Sequence, residues 1–430
     1  MSREKAVRWF SLTLIALFLL SMGWNVVSQG RVLDATLFTD EQDTGMDFYN
    51  SVTYVRGRVP YTQFDTVYPP LANALYLAVM HAVPNEISDT WGESYLDAIA
   101  HRMTASDLRL HQDTAFAFLV SLSLLAVLFF QLCYHSIGGG KVTRFLFSTA
   151  MLLSMGVLQA IERGNIILLA VCLVMFFLRF KDSRSRVLSE LALVALAAAA
   201  GLKLYPAVFG LLLVLDRQYR RALRTLLYGL VLFFGPFFLF EGVAAIRTYF
   251  QQLAIFNDPG SGGSPIGLSM VQTAETLLRM LRVDLSHPAL YPRLLAFAGT
   301  ASAVAAVAAV GLCFVTKSRW KAITLLSLVT LLLPGRTAMY VLSMMTIALI
   351  AFFTDTARPD GWRKLYAALF LPVFAFFPYA LRHVRGYQVV QPVIQFALIA
   401  LFAVLVADIL REGFARGHAR PGPTGTPAQA

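Results

Sequence analysis

Charge is scarce in this chain. Asp, Glu, Lys and Arg make up 14% of its 430 residues, against about 25% in a soluble globular protein. Hydrophobic residues make up 57% and the mean hydropathy is +0.63, which excludes an ordinary soluble protein and leaves a polytopic membrane protein. Cysteine is scarcer still. Cys133, Cys172 and Cys313 all lie in apolar stretches, so neither long polar stretch can carry a disulfide framework, and the thiols read as small core residues. Nucleotide-binding and hydrolase signatures (Walker loop, GxGxxG, HExxH, GxSxG) are missing too. The Gly138-Gly-Gly140 turn before Lys141 reads as a loop. The seven histidines have no metal-ligand spacing, and no Asp-x-Asp pair exists to hold a divalent ion, so neither metal nor cofactor is expected. No repeat of the solenoid or inverted-transporter kind is evident.

What is present is a series of apolar runs. A span needs about 20 apolar residues, and the runs at 9–27, 114–134, 145–161, 165–179, 187–202, 204–216, 222–241, 293–316, 320–334, 338–354, 364–381 and 389–411 read as about twelve transmembrane helices, within a range of 10–13. Several are short, and the breaks at Leu202–Leu204 and Pro334–Met339 suit broken or re-entrant helices. The first run lacks a small-x-small cleavage site and reads as an uncleaved helix.

The net charge of +11 raises the possibility of nucleic acid. Its distribution argues against that partner. Basic residues gather in short loops, among them Lys141/Arg144, Arg217–Arg224 and Lys317/Arg319/Lys321, where they act as topology signals. They place both termini in the cytoplasm of a cell-membrane protein and both long polar loops, 28–113 and 242–292, outside. Residues 1–411 then form one membrane-embedded domain, and 412–430 a disordered cytoplasmic tail.

The first outer loop carries the strongest signal. Gly45–Arg56 has helical character, with Phe48, Val52 and Val55 on one face and Pro60 closing it. Asp40 and Asp43 precede it in a solvated acidic run, whereas Asp47 lies within it. Leu71–Val83, between Pro70 and Pro84, is too short to span and reads as a juxtamembrane helix. Ionisable residues are costly inside a bilayer, about 2.5–3.5 kcal/mol at its centre. Yet Glu162-Arg163-Gly-Asn165, Lys203 and Arg336 all fall at outer helix ends, on the same face as Asp47. Three cations beside a carboxylate-bearing loop suit a binding site for an anionic, membrane-borne substrate. Snorkelling to lipid phosphates is the competing explanation. His287, in the second long loop, reads either as a loop histidine or as a phosphate contact.

Asp47, Tyr54, Gly57, Pro60-Tyr61 and Tyr68-Pro-Pro-Leu71 together resemble the first outer loop of the polyprenyl-phosphate-sugar-dependent glycosyltransferases of family 87. Arg163-Gly-Asn165 and Leu202-Lys-Leu-Tyr-Pro206 resemble the next two motifs, in order, over about residues 47–240. The chain departs from the pattern at Glu162-Arg163-Gly164, where many relatives read Gly-Gln before the asparagine.

The resemblance implies an all-α GT-C-like fold with juxtamembrane helices in the first loop. It also implies an enzyme moving mannose or arabinofuranose from a polyprenyl-phosphate donor to a glycolipid or cell-envelope glycan in the bilayer. Asp47 is then the expected general base and Arg163, Lys203 and Arg336 the expected phosphate ligands. Tyr54, Tyr61, Tyr68, Asn165, Tyr205 and His287 are the expected substrate contacts. A secondary transporter, a glycan polymerase or ligase, or a lipid-binding scaffold remain as alternatives.

Overall fold

Backbone inside a bilayer must satisfy its own N–H and C=O groups, so apolar runs become helices. The computed structural model describes residues 2–38, 44–82, 108–258, 267–281, 290–355, 362–377, 381–384, 387–389 and 392–417. The first half contains α1 (Arg3–Val27), α2 (Arg31–Thr36), α3 (Met46–Tyr54), α4 (Pro70–Val79), α5 (Gln112–Ser136), α6 (Lys141–Leu152), α7 (Met155–Glu162), α8 (Ile167–Phe180) and α9 (Arg186–Leu202). A 3₁₀ turn, Tyr205–Gly210, leads into α10 (Leu211–Leu215), then α11 (Tyr219–Phe234), α12 (Val243–Asn257), α13 (Met270–Met280), α14 (Leu290–Val315) and α15 (Arg319–Leu332). A second 3₁₀ turn, Met339–Met344, runs into α16 (Met345–Thr354), followed by α17 (Arg363–Phe374) and α18 (Pro392–Gly417). The expected all-α class holds apart from one short antiparallel hairpin, Leu381–Val384 with Tyr387–Val389.

Among the described residues, five helices are long and apolar enough to cross a membrane: α1, α5, Tyr219–Leu239, Tyr291–Val315 and Pro392–Phe414. That is fewer than hydropathy alone suggests, because several apolar runs are divided. The run read as one span at 145–161 is split at Leu153–Ser154 into α6 and α7, bent by 54°. Counting that pair as one span raises the number to six. The 204–216 run is a 3₁₀ turn joined to α10, and α8 has only 14 residues.

The interior forms around α8 and α15. A helix that is apolar on every side must be buried, and every residue from Trp320 to Leu332 is buried. Helix α8 packs on α5 and α9, α9 on α11, α15 on α16 and α18, and α7 on the Met339–Met344 turn. The outer helices point Leu19, Leu20, Phe116, Leu124, Val231, Val304 and Val307 away from the protein, as a lipid-facing surface requires. All three cysteines are free and buried.

Lys321 corrects another expectation. It is not a loop cation but lies inside α15, 2% exposed, where its ammonium is 2.5 Å from Asp408 and also binds Glu412, both on α18. The Tyr366 hydroxyl donates to Asp408 at 2.8 Å. A buried charge requires such partners. Glu412 belongs to α18, which continues to Gly417; residues 418–430 of the expected tail lie outside the described residues.

Candidate active site

A glycine turn builds the site. Helix α7 ends in a Schellman motif, the αL cap in which two amide groups fold back on the last carbonyls. Gly164 has φ +65° and donates to the Ile161 carbonyl at 3.0 Å, while the Asn165 amide reaches Ala160 at 2.8 Å. The turn thus presents Arg163 and Asn165 on either side of one glycine. The first amides of α3 have no partner within their own helix. The Gly45 N–H donates to the Glu162 carbonyl at 2.8 Å and the Asp47 N–H to the Arg163 carbonyl at 3.1 Å. The outer loop is therefore pinned to the end of α7, with Asp47 facing the glycine turn.

The Asp47 carboxylate is held on both oxygens. Arg163 places Nη2 at 3.1 Å from Oδ1 and Nε at 3.4 Å from Oδ2, while Asn165 Nδ2 donates to Oδ2 at 2.6 Å. Both members of the ion pair remain partly accessible, the arginine side chain 22% exposed and the carboxylate 16%. Asn165 itself is fully buried. Its Nδ2 also donates to the Tyr68 hydroxyl at 3.0 Å, and its Oδ1 accepts the Ile167 amide at 2.9 Å. No α3 amide donates to the carboxylate among the described residues, so Asp47 is not a helix cap.

Lys203 arrives from the other side, at the C-cap of α9, where Pro206 starts a new turn and stops the helix. Its ammonium lies 4.0 Å from the centre of the Tyr68 ring and 5.6 Å from that of Tyr340. The Asp47 charge reaches it electrostatically, but among the described residues no carboxylate forms an ion pair with it. A cation seated on two aromatic faces without a counter-ion is suited to an incoming anion. The Tyr205 hydroxyl is buried with no partner among the described residues. Helix α4 brings Tyr68 here by approaching α9 at Gly201, where a Cβ would lie 2.8 Å from Leu71 Cδ2.

The family model for glycosyltransferase family 87 matches residues 67–342, nearly two thirds of the chain. The chain belongs to glycosyltransferase family 87. It is accordingly a membrane glycosyltransferase. The match covers Tyr68, Arg163, Asn165, Lys203, Tyr205 and Arg336 and begins after Asp47. No curated protein and no solved structure matches the chain.

Among the residues singled out from sequence, this family member brings Asp47, Arg163, Asn165, Tyr68 and Lys203 into one cluster. Tyr61 instead sits fully buried among Phe233, Phe237 and Tyr249, with its hydroxyl accepting from Asn73 at 3.0 Å. Tyr54 stacks on Phe64 at 4.7 Å. Both tyrosines fold the loop. Arg336 lies over the Phe256 ring at 5.7 Å, and His287 falls outside the described residues. Tyr340 was not anticipated. The only local signal for it is its position just after the Pro334-Gly-Arg336 break.

Gly164→Ala tests the turn. The new Cβ would meet Phe118 at 2.7 Å and Phe48 Cβ at 2.8 Å, at a φ that disfavours side chains. Overpacking of this kind costs about 1–3 kcal/mol. We expect a lower thermal midpoint in detergent, with transfer activity reduced alongside it because α3 is displaced. An unchanged midpoint would mean that the turn tolerates a Cβ and does not fix the loop.

Proposed function

We propose that this glycosyltransferase uses Asp47 as general base to move a sugar from a polyprenyl-phosphate donor to a hydroxyl of a glycolipid or cell-envelope glycan. The observation carrying this reading is the doubly held Asp47 carboxylate and, within its electrostatic reach, the Lys203 ammonium, which has no ion-pair partner among the described residues. The acceptor oxygen attacks the anomeric carbon, Asp47 takes its proton, and the bond from that carbon to the phosphate oxygen breaks. The departing lipid phosphate gains negative charge, which a preorganised cation stabilises best.

Lys203 is the principal phosphate ligand in this scheme. Arg163 orients Asp47, and its planar fork suits a phosphate oxygen on the same side. Arg336, over the Phe256 ring, is the third candidate. Tyr68 and Asn165 link base and cation, and Tyr205, two positions after Lys203, is a further candidate substrate contact. Mannose is the favoured sugar and arabinofuranose the next. The protein lies in the cell membrane with both termini cytoplasmic and the site extracytoplasmic, within a GT-C-like body. Nucleotide sugars are not available there, whereas a lipid-linked donor diffuses into the site from the bilayer.

Proteoliposomes offered radiolabelled mannosyl- or arabinofuranosyl-phosphoprenol, or the corresponding nucleotide sugars, test the reading. Label should pass into acceptor from one of the prenol-linked donors, with chelator present. Transfer from the nucleotide sugar alone would overturn the donor assignment, and loss of activity on chelation would overturn the metal-free phosphate site.

A further inference from the structure

Helices α8 and α16 each run between two sites. Asn165, at the start of α8, and Tyr340, before α16, belong to the Asp47 cluster. At the opposite ends, a cavity of about 820 Å³ is bordered by Arg179, Lys181, Asp216, Arg319 and Asp355. Along α8 the cavity wall begins at Met175, ten positions beyond Asn165 or about 15 Å at 1.5 Å per residue, and it shares no residue with the Asp47 cluster, so this cavity is not an extension of the transfer site. Its volume falls within the range of small-ligand pockets, about 300–1,000 Å³.

The lining divides by chemistry. Met175, Leu178, Ile323, Ile347 and Ile350 supply an apolar wall. Most rim charges neutralise one another. Arg319 binds both oxygens of Asp216, at 2.7 and 3.0 Å, and Lys181 reaches Asp216 at 2.9 Å. Asp182 is engaged by Lys181, by Arg221 and by Gln218. Among the described residues, one cation and one carboxylate of the rim form no ion pair. Arg179 donates to the His135 carbonyl and covers the Phe180 ring, and among the described residues it has no carboxylate partner. The Asp355 carboxylate accepts no hydrogen bond and forms no ion pair among the described residues; Arg363 binds the main-chain oxygen of that residue, and Arg3 reaches the carboxylate only electrostatically.

We propose that this cavity binds a zwitterionic phospholipid carrying a phosphoethanolamine headgroup. Arg179 takes the phosphate, Asp355 takes the primary ammonium, and an acyl chain lies on the wall of Met175, Leu178 and Ile323. Basic pockets between membrane helices bind anionic lipid headgroups, and this one adds a carboxylate to its cation. Among the described lining residues the charges without an ion pair are one positive and one negative, and an anionic phospholipid or a prenyl phosphate supplies no cation for Asp355. The proposal needs the membrane body only and stands apart from the choice of sugar donor.

Native mass spectrometry of the delipidated full chain in detergent tests it. The probes are dioleoyl-phosphatidylethanolamine, dioleoyl-phosphatidylglycerol, a prenyl phosphate and chainless glycerophosphoethanolamine. A charge-assisted hydrogen bond is worth about 1.5–3 kcal/mol, so phosphatidylethanolamine should be retained at least about tenfold better than phosphatidylglycerol. Asp355→Asn should abolish that preference, and Arg179→Gln should weaken both phospholipids. Equal retention of the two phospholipids, preference for phosphatidylglycerol or prenyl phosphate, or equal competition by the chainless headgroup would each overturn the proposal. The wild-type competition decides the matter even if a variant folds poorly.

Discussion

Asp47→Asn should lower sugar transfer by about 10²–10⁴-fold, the usual contribution of a positioned general base. The substitution keeps the shape of the side chain but removes the proton acceptor. It also leaves the Arg163 guanidinium facing a neutral amide, and the Asn165 Nδ2 that donated at 2.6 Å loses its charged acceptor. Some stability should therefore be lost, since hydrogen bonds to charged groups contribute about 1.5–3 kcal/mol. The two effects separate experimentally. Turnover measured well below the thermal midpoint of the variant reports chemistry, and Asn165→Ala supplies a comparison in which the support goes but the carboxylate remains. Near-wild-type turnover in Asp47→Asn would remove the general-base assignment.

Lys203→Met should cost about 10²–10³-fold in kcat, the scale seen when one preorganised electrostatic donor is removed. Methionine keeps an unbranched apolar stem between the Tyr68 and Tyr340 rings, so packing is largely retained while the charge is lost. The leaving phosphate gains charge only as its bond breaks, so the loss should fall on kcat more than on KM. Lys203→Arg should recover activity partly, because a planar fork replaces a compact ammonium on the same two rings. A variant in which only KM rises would mark Lys203 as a ground-state contact. One with unchanged kinetics would remove it from the site.

Much of this was legible in the sequence where a local rule applied. The juxtamembrane helix after Tyr68 starts at Pro70, a proline at the first helical position, and ends within two residues of the expected boundary once its final 3₁₀ turn is included. The α3 helix falls inside Gly45–Arg56, with Phe48, Val52 and Val55 all buried. Arg163, Asn165 and Lys203 could be picked out because charge and amide are conspicuous at the end of an apolar run.

Long-range pairing was less accessible. Tyr61 and Tyr68 are both aromatic loop residues, yet one is buried among α11 and α12 side chains and the other faces Lys203. Nothing within seven residues distinguishes them. Hydropathy likewise measured the apolar content of 145–161 without detecting the turn at Leu153–Ser154, because a bent helix and a straight one can share a composition. Lys321 looked like a loop cation for the same reason: its partners Asp408 and Glu412 are 87 and 91 positions away.

The Asn165 side chain has a mechanical consequence. Its amide plane is a rigid body with one oxygen and two hydrogens. The Ile167 N–H occupies the oxygen, and Asp47 and Tyr68 share the nitrogen. The group cannot turn over without breaking all three bonds, and it cannot tilt toward one acceptor without drawing away from the other. Anything that displaces the Tyr68 ring, on which the Lys203 ammonium rests, therefore pulls on the carboxylate opposite. Occupancy at the cation end and aim at the acid end are geared through one planar group, with no moving domain required.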